Sequence, residues 1–225
     1  MKLSKETLAV MKNFSTINQG IMLRPGNFIM TKTVNNVCYA EATIADTISE
    51  ELGIYDLNSF LAIMNLVGDD AEIEIDALTG NIQVSNGRIK INYPASDASV
   101  IVTPKKPIQM PVADVIFELK ADDLKQITRL SRQMNVTRIA VTTENGRLFI
   151  KGSDEIDKSN PKEAYALDVG AYEGTGQFNF IINLENMKLI DSDYKVLISS
   201  KGAVRFETTN LAYVVAVELD STSDF

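Results

Sequence analysis

The order of apolar and polar residues predicts a chain made mostly of strands, with a few helices between them. The clearest helix is Ala121–Met134, where Leu124, Ile127, Ser131 and Met134 recur at helical spacing and predict one buried stripe. Two aspartates in its first turn favour the positive end of a helix dipole. This segment therefore predicts a helix that packs on a core by one side.

Three cations occupy the opposite side of the same helix. Lys125, Arg129 and Arg132 stand at positions i, i+4 and i+7, which places them on one face. The simplest interpretation is a solvated helix surface. The alternative is a cationic ridge that binds a polyanion. Features elsewhere in the sequence discriminate between these two interpretations.

The first helix repeats this design. Ser4 is a typical N-cap, the predicted helix runs over Lys5–Asn18, and Gly20 ends it. Lys5 and Lys12 lie two turns apart and are expected to point away from the apolar side.

Two further helices are predicted, and neither is a cationic ridge. Leu57–Val67 follows an Asp56 cap and contains no cation. A short helix is predicted at Leu184–Ile190, with Asn183 as its cap.

The remaining segments alternate as short strands. Residues 20–31 predict a hairpin with Pro25-Gly26-Asn27 as its turn, and Asn-Gly pairs at 86–87 and 145–146 predict two more hairpins. The other predicted strands are 38–44, 71–75, 81–85, 88–93, 117–120, 138–143, 147–151, 164–169, 178–182, 194–199, 203–208 and 213–219. Residues 153–162 are polar and predict a loop.

A proline-rich segment divides the chain into nearly equal halves. Val100–Pro111 holds three of the six prolines, so it predicts an extended connector rather than a central strand or a helix. The segment GIYDLNSFLAIMNLVGDDAEIEI from Gly53 and the segment FNFIINLENMKLIDSDYKVLIS from Phe178 share one order: strand, cap, helix, acidic turn, strand. We therefore expect two tandem, similar α+β domains, each mostly sheet with two helices, over residues 1–103 and 116–225, joined by residues 104–115.

Composition indicates a globular protein. The 225 residues are 45% hydrophobic and 23% charged, and no apolar run is long enough to cross a bilayer. The single cysteine, Cys38, has no partner for an internal disulfide and suits a reducing compartment. The chain begins without the apolar core of a signal peptide, so we expect a soluble cytosolic protein with no membrane partner.

Candidate chemistry is sparse. The chain has no histidine, the most frequent general base and metal ligand, and no phosphate-binding loop of the G-x-x-x-x-G-K-[ST] type. Gly174-Thr175-Gly176 is typical of a turn. Carboxylates at Asp69-Asp70, at Asp191 and Asp193, and at Asp154, Glu155 and Asp157 could bind a hard cation, but all lie in predicted turns. We expect no enzyme activity, no metal and no cofactor.

Binding is the function that remains. The net charge of −8 argues against nucleic acid unless cations and anions are segregated, as they are on the predicted helices. Lysine and arginine contacts to phosphate give affinity without sequence readout. Because no aromatic residue lies among these cations, base stacking on single strands is not indicated. The pattern favours contact with the backbone of a duplex.

Several blocks resemble one known family over the whole length of the chain. They read MKLSKETLAVMKNFSTINQGIML, IYDLNSFLAIMNLVGDDAEI, LKADDLKQITRLSRQM, FNFIINLENMK and YVVAVELDSTSDF. These blocks resemble the sliding clamps of T-even-type bacteriophages, which are DNA polymerase processivity factors. The resemblance is weaker in the Ser85–Tyr93 hairpin and the Ser153–Lys162 loop.

The resemblance implies a DNA-clamp fold in a head-to-tail homotrimeric ring, with sheets outside and helices lining a central hole through which duplex DNA passes. It implies loading by an ATP-dependent clamp loader, docking of a C-terminal peptide of the DNA polymerase in an apolar pocket near the connector, and a further role in late transcription with factors of the host RNA polymerase. The implied location is the cytoplasm of the infected bacterium, at replication forks. The implied subunit contacts are between strand edges, for which 88–93, 100–103 and 164–169 are candidates.

Two sets of site residues follow. The expected contacts to the DNA backbone are Lys5, Lys12, Lys125, Arg129 and Arg132, with Lys120 and Lys188 as weaker candidates. The expected lining of the polymerase-peptide pocket is Tyr39, Ile108, Met110, Pro111, Val112, Val217 and Leu219, all of which could instead be core or linker residues. Two other functions stay open: a monomeric, β-rich polymerase accessory factor with an open basic face, and an enzyme that uses Asp191 and Asp193 with a metal.

Overall fold

The computed structural model describes residues 1–154 and 162–225, and these form two compact units, residues 1–108 and 109–225. The two predicted features that fall largely in the gap, the 153–162 loop and the carboxylates Glu155 and Asp157, lie outside the described residues. Each unit has its own apolar core and is described separately.

In the first unit, helix α1 spans Lys5–Phe14 and helix α2 spans Leu57–Val67. Ser4 and Asp56 cap them as predicted, by accepting the backbone N–H groups of Thr7 and Ser59. Helix α1 is four residues shorter than predicted. Its end is closed by tight turns in which the N–H of Thr16 bonds the carbonyl of Asn13 and the N–H of Ile17 bonds that of Phe14.

Seven strands complete the first unit: β1 Ile21–Leu23, β2 Gly26–Lys32, β3 Cys38–Ile48, β4 Leu52–Ile54, β5 Glu72–Ile75, β6 Ile82–Ser85 and β7 Lys90–Tyr93. Strand β2 pairs with β3, and β5, β6 and β7 form an antiparallel sheet in that order. The predicted 20–31 hairpin is wrong. All three residues of β1 are buried, and β1 pairs with β4, with Ile21 opposite Ile54. A second prediction also fails, since residues 100–103 form no strand edge and a 3₁₀ turn covers Ala98–Val100.

In the second unit, strand β8 Val115–Leu119 leads into helix α3, Ala121–Gln133. The later strands are β9 Arg138–Glu144, β10 Arg147–Asp154, β11 Lys162–Ala171, β12 Phe178–Asn183, β13 Tyr194–Ser199, β14 Ala203–Glu207, β15 Leu211–Ala216 and β16 Thr222–Ser223. One sheet has the order β11-β10-β9-β12-β16, and the strands β8-β13-β14-β15 are hydrogen-bonded in that order.

Three details of the second unit correct the prediction. The expected helix at 184–190 is only a 3₁₀ turn over Leu184–Asn186, because the backbone leaves helical geometry at Met187. The last long strand ends at Ala216 rather than at Leu219. The polar tail includes β16, which pairs with β12 so that Ser223 lies opposite Phe178. Among the described residues there are thus three α-helices, two in the first unit and one in the second.

The buried stripe of α3 is confirmed in large part. Leu124, Ile127 and Ser131 are buried, and they pack this helix on its sheet. Met134 is 43% exposed, which contradicts the prediction, because the helix ends at Gln133 and Met134 leaves helical geometry.

Candidate nucleic-acid interface

Helix α3 presents three cations to solvent. Lys125, Arg129 and Arg132 are all exposed, on the side away from Leu124 and Ile127. None of the three has an ion pair in the part of the chain that the structure describes. Their charges are therefore available to an external anion.

Helix α1 presents two more cations to solvent. Lys5 and Lys12 are exposed, while Met11 and Phe14 on the other side of the helix are buried. Lys12 has no ion pair among the described residues, whereas Lys5 Nζ lies 2.7 Å from Asp69 Oδ2. The hydrogen bond and the negative charge of Asp69 raise the pKa of Lys5.

Helix α2 adds neutral polar groups beside α1. A cleft of about 860 Å³ between the two helices is lined by Lys5 and Lys12 on α1 and by Asn58 and Asn65 on α2, and Asp69 also lines it. The Ser15 hydroxyl, at the end of α1, donates to Asn58 Oδ1 at 2.8 Å and so joins the two helices. Amide and ammonium groups are both donors to phosphate oxygens, so this face suits a polyanion.

The second unit has a smaller cleft in the corresponding place. It measures about 270 Å³ and lies between α3, through Thr128 and Arg132, and the turn that follows β12, through Leu184 and Met187. Glu185 also lines this cleft, so its charge reduces the positive potential beside Arg132.

Lys120 and Lys188, the two weaker candidates for DNA contact, differ from the exposed ridge formed by Lys125, Arg129 and Arg132. Lys120 is exposed at the start of α3, where its Nζ lies 3.4 Å from Asp193 Oδ2 and 3.5 Å from Glu118 Oε2. Asp193, which also accepts the N–H of Ala121 at 2.8 Å, raises the pKa of Lys120 more than Glu118 does. Lys188 is half-buried in the segment that follows the 3₁₀ turn. Neither of these lysines belongs to the exposed ridge.

Charge is unevenly distributed between the helices and the remainder. The three α-helices carry five cations and three anions, whereas the rest of the chain carries 17 cations and 27 anions. The net charge of −8 therefore arises outside the helices. The helices therefore favour contact with a polyanion more than the rest of the chain does.

The residues expected to line the peptide pocket vary widely in exposure. Tyr39 is buried, and its hydroxyl lies 2.6 Å from Glu41 Oε2. Ile108 is exposed, Val112 is 81% exposed and Leu219 is fully exposed. Three members of the set are half-buried, namely Met110, Pro111 and Val217.

No group of three or more metal-binding side chains occurs among residues 1–154 and 162–225. The same residues contain no helix long and apolar enough to cross a membrane. The acidic turns at Asp69 and Asp193 instead form ion pairs with lysines. The sequence predicts both aspartates in turns, and the repeat between the two halves places these turns at corresponding positions.

Comparisons with known proteins agree with this fold. Residues 4–103 match the family model described as DNA polymerase processivity factor, and residues 116–219 match the model described as gp45 sliding clamp, C terminal. Among solved structures, A. fulgidus PCNA in complex with the C-terminal region of FEN-1 is similar with a TM-score of 0.70 at 15% identity, over 98% of each chain. The class is therefore a DNA-clamp fold of two tandem domains.

Sequence relatives define the family more closely. The chain is 48% identical to the sliding clamp of Enterobacteria phage T4 and 47% identical to that of Escherichia phage RB69, in both cases over the full length of both chains. The chain belongs to the phage sliding clamps, the DNA polymerase processivity factors. The resemblance to the T-even-type sliding clamps and the predicted DNA-clamp fold of two tandem domains are confirmed.

Proposed function

We propose that three copies of this chain assemble head to tail into a closed ring, with α1, α2 and α3 of each copy facing a central hole that holds duplex DNA. The observation that supports this most is the concentration of exposed cations on α1 and α3 in a chain of net charge −8. Of these, Lys12, Lys125, Arg129 and Arg132 form no ion pair among the described residues. The sheets then form the outside of the ring, and the anionic excess lies on the strands and loops outside the helices.

The residues that contact the DNA backbone are Lys12, Lys125, Arg129 and Arg132, with Lys5, Lys120 and Lys188 contributing less. Their contacts are ionic and ignore base identity, so they allow movement along the duplex. Retention comes from topology rather than from affinity, because a closed ring cannot leave circular DNA sideways. Weak contacts of this kind are strongly screened by salt.

Subunits join through free strand edges. In the described part of the first unit, β7 pairs only with β6, and in that of the second, β11 pairs only with β10. Each of these strands offers unpaired backbone groups along one side. A head-to-tail contact between β7 of one copy and β11 of the next satisfies both edges and closes the ring.

The ring tethers the replicative DNA polymerase, whose C-terminal peptide docks on the apolar residues around the connector. Val112 and Leu219 are the most exposed members of this set, and burial of such apolar side chains against a peptide would be favourable. A clamp loader that hydrolyses ATP opens and closes the ring. The same ring supports late transcription with factors bound to host RNA polymerase, in the cytoplasm of the infected bacterium.

Molecular mass in solution tests the assembly. At micromolar concentration, light scattering should give three times the single-chain mass of 24.8 kDa. A single-chain mass would contradict the ring. It would favour the alternative of an accessory factor that binds duplex DNA on an open basic face.

A further inference from the structure

Two lysines at the starts of helices are held by carboxylates, one in each unit. Lys5 is the first residue of α1 and lies 2.7 Å from Asp69, whereas Lys120 immediately precedes α3 and lies 3.4 Å from Asp193. All four side chains are more than half exposed. The pairs are therefore accessible to an external anion.

The two carboxylates occupy corresponding places in the repeat. Asp69 lies in the turn between α2 and β5, and Asp193 lies in the turn between the Leu184–Asn186 3₁₀ helix and β13. In both units the turn follows the second helical segment and precedes a strand. The arrangement of helix-start lysine and acidic turn thus recurs although the surrounding sequences differ.

The other helical cations have no such partner. Within the described residues, Lys12, Lys125, Arg129 and Arg132 form no ion pair. The positive face of each unit therefore has free cations along the helix and a neutralised lysine at the helix start.

We propose that Asp69 and Asp193 compete with DNA phosphate for Lys5 and Lys120, and so limit how tightly the clamp grips the duplex it encircles. This inference rests on the proposed function, because it requires DNA to pass along the helical face. Each carboxylate holds its lysine when no phosphate is near and releases it when a phosphate arrives.

Exposed ion pairs are weak enough for such an exchange. Pairs of this kind gain little free energy in water, so a phosphate can displace the carboxylate without a large barrier. The displaced carboxylate then attracts a counterion of its own, which offsets part of the counterion release that drives DNA binding. Each phosphate contact therefore contributes less binding free energy, and the barrier to sliding along the duplex is lower.

Asp193 has a second role that a test must preserve. Its Oδ1 accepts the N–H of Ala121 at 2.8 Å, which caps the start of α3 in place of a side chain from Lys120 itself. Asparagine keeps a carbonyl acceptor at this position and removes only the charge. Asp69→Asn and Asp193→Asn are therefore suitable variants, alone and combined.

The experiment measures binding of the full-length protein to a short, blunt-ended fluorescent duplex by anisotropy, over a range of NaCl concentrations. Each variant should bind about two- to fivefold more tightly than the unsubstituted protein at low salt. The logarithm of the affinity should also fall more steeply with the logarithm of salt, by about 0.9 in Asp69→Asn, which frees Lys5. The change should be smaller in Asp193→Asn, because Glu118 Oε2 still lies 3.5 Å from Lys120 Nζ.

The control is Glu144→Gln, which removes one negative charge from an ion pair with Lys151 on a sheet and should leave binding unchanged. A second comparison is the Lys125→Glu, Arg129→Glu double variant, which should weaken binding. If that variant binds weakly while Asp69→Asn and Asp193→Asn match the unsubstituted protein, the competition is refuted and the proposed function stands. If neither set of substitutions alters binding, the proposed function itself fails.

Discussion

The hydroxyl of Ser131 on α3 lies 2.6 Å from the hydroxyl of Tyr165 on β11. The ring of Tyr165 covers Gly152 on the neighbouring strand, where a β-carbon would lie only 2.3 Å from the ring. Burial raises the pKa of Tyr165, so the hydroxyl stays protonated at neutral pH. This contact joins the cationic helix of the second unit to the edge strand proposed to form a subunit contact.

Removing the Tyr165 hydroxyl should weaken the packing of α3 on β11 without changing the surface charge of α3. We expect Tyr165→Phe to lower the free energy of unfolding by about 1 kcal/mol, because the ring still packs but the buried Ser131 loses its partner. Urea titration of Tyr165→Phe, of Ser131→Ala and of the double variant measures the coupling between them. Strictly additive effects of the two substitutions would show that the hydrogen bond contributes nothing.

Asp46 should stabilise the start of α1. Its Oδ2 accepts the Ser4 N–H at 2.7 Å and the Ser4 hydroxyl at 2.8 Å. Partial burial alone would raise the pKa of Asp46, but the hydrogen bonds from Thr7 and Ser4 outweigh it and lower the pKa. Asp46→Asn should therefore cost about 0.5–1 kcal/mol at neutral pH.

The pH dependence of this effect has a definite sign. A lowered pKa in the folded state means that the stabilisation is complete above the ordinary value of 3.8 and is lost as the pH falls through the folded-state value. Denaturation midpoints of the two proteins should differ at pH 7 and converge as the pH falls below the lowered, folded-state pKa of Asp46. A difference that persists unchanged in acid would exclude the carboxylate as its source.

Charge reversal on α3 tests the helical face. Lys125→Glu combined with Arg129→Glu should reduce loading and processive synthesis several-fold at moderate salt, because two phosphate contacts become repulsions. The free energy of unfolding should change by less than about 0.5 kcal/mol, since both side chains are exposed. Lys195→Glu with Lys201→Glu, on β13 and in the turn that follows it, is the matched control. Unaltered processivity in the α3 variant would remove these residues from the DNA interface.

The apolar docking surface can be tested separately from DNA binding. Val112→Asp with Leu219→Asp should weaken stimulation of the polymerase at least several-fold and leave duplex binding intact, because a buried peptide contact would acquire two unpaired charges. Leu78→Asp changes an apolar residue that is 96% exposed in the first unit, and it should have no effect. An equal loss in the double variant and in Leu78→Asp would point to a general effect of surface charge.

The sequence predicted α3 well because its signal is local. Leu124 and Ile127 are buried and Arg129 is exposed, as helical spacing requires. The same reasoning misplaced the partner of β1, since a strand of three apolar residues does not indicate which distant strand it meets. Ile21 pairs with Ile54, which lies beyond two intervening strands in the chain.

For the candidate site residues too, local periodicity was predictable from the sequence and contacts between distant residues were not. The exposure of Lys125 and Arg132 followed from periodicity alone. The ion pair between Lys5 and Asp69 did not, because the two residues lie 64 positions apart and the sequence between them carries no pattern that indicates spatial contact. The proposed assignments to DNA and to the polymerase peptide stay predictions until the variants above are measured.

Enclosure of DNA by a closed ring is the central claim, and release on linearisation measures it most directly. Fluorescent clamps are loaded onto a nicked circular duplex with the loader and ATP, and bound fluorescence is followed before and after a single cut by a restriction enzyme. The account predicts stable retention on the circle at moderate salt and loss through the free ends after the cut. Equal retention on circular and linear DNA, or equal loss from both, would contradict it.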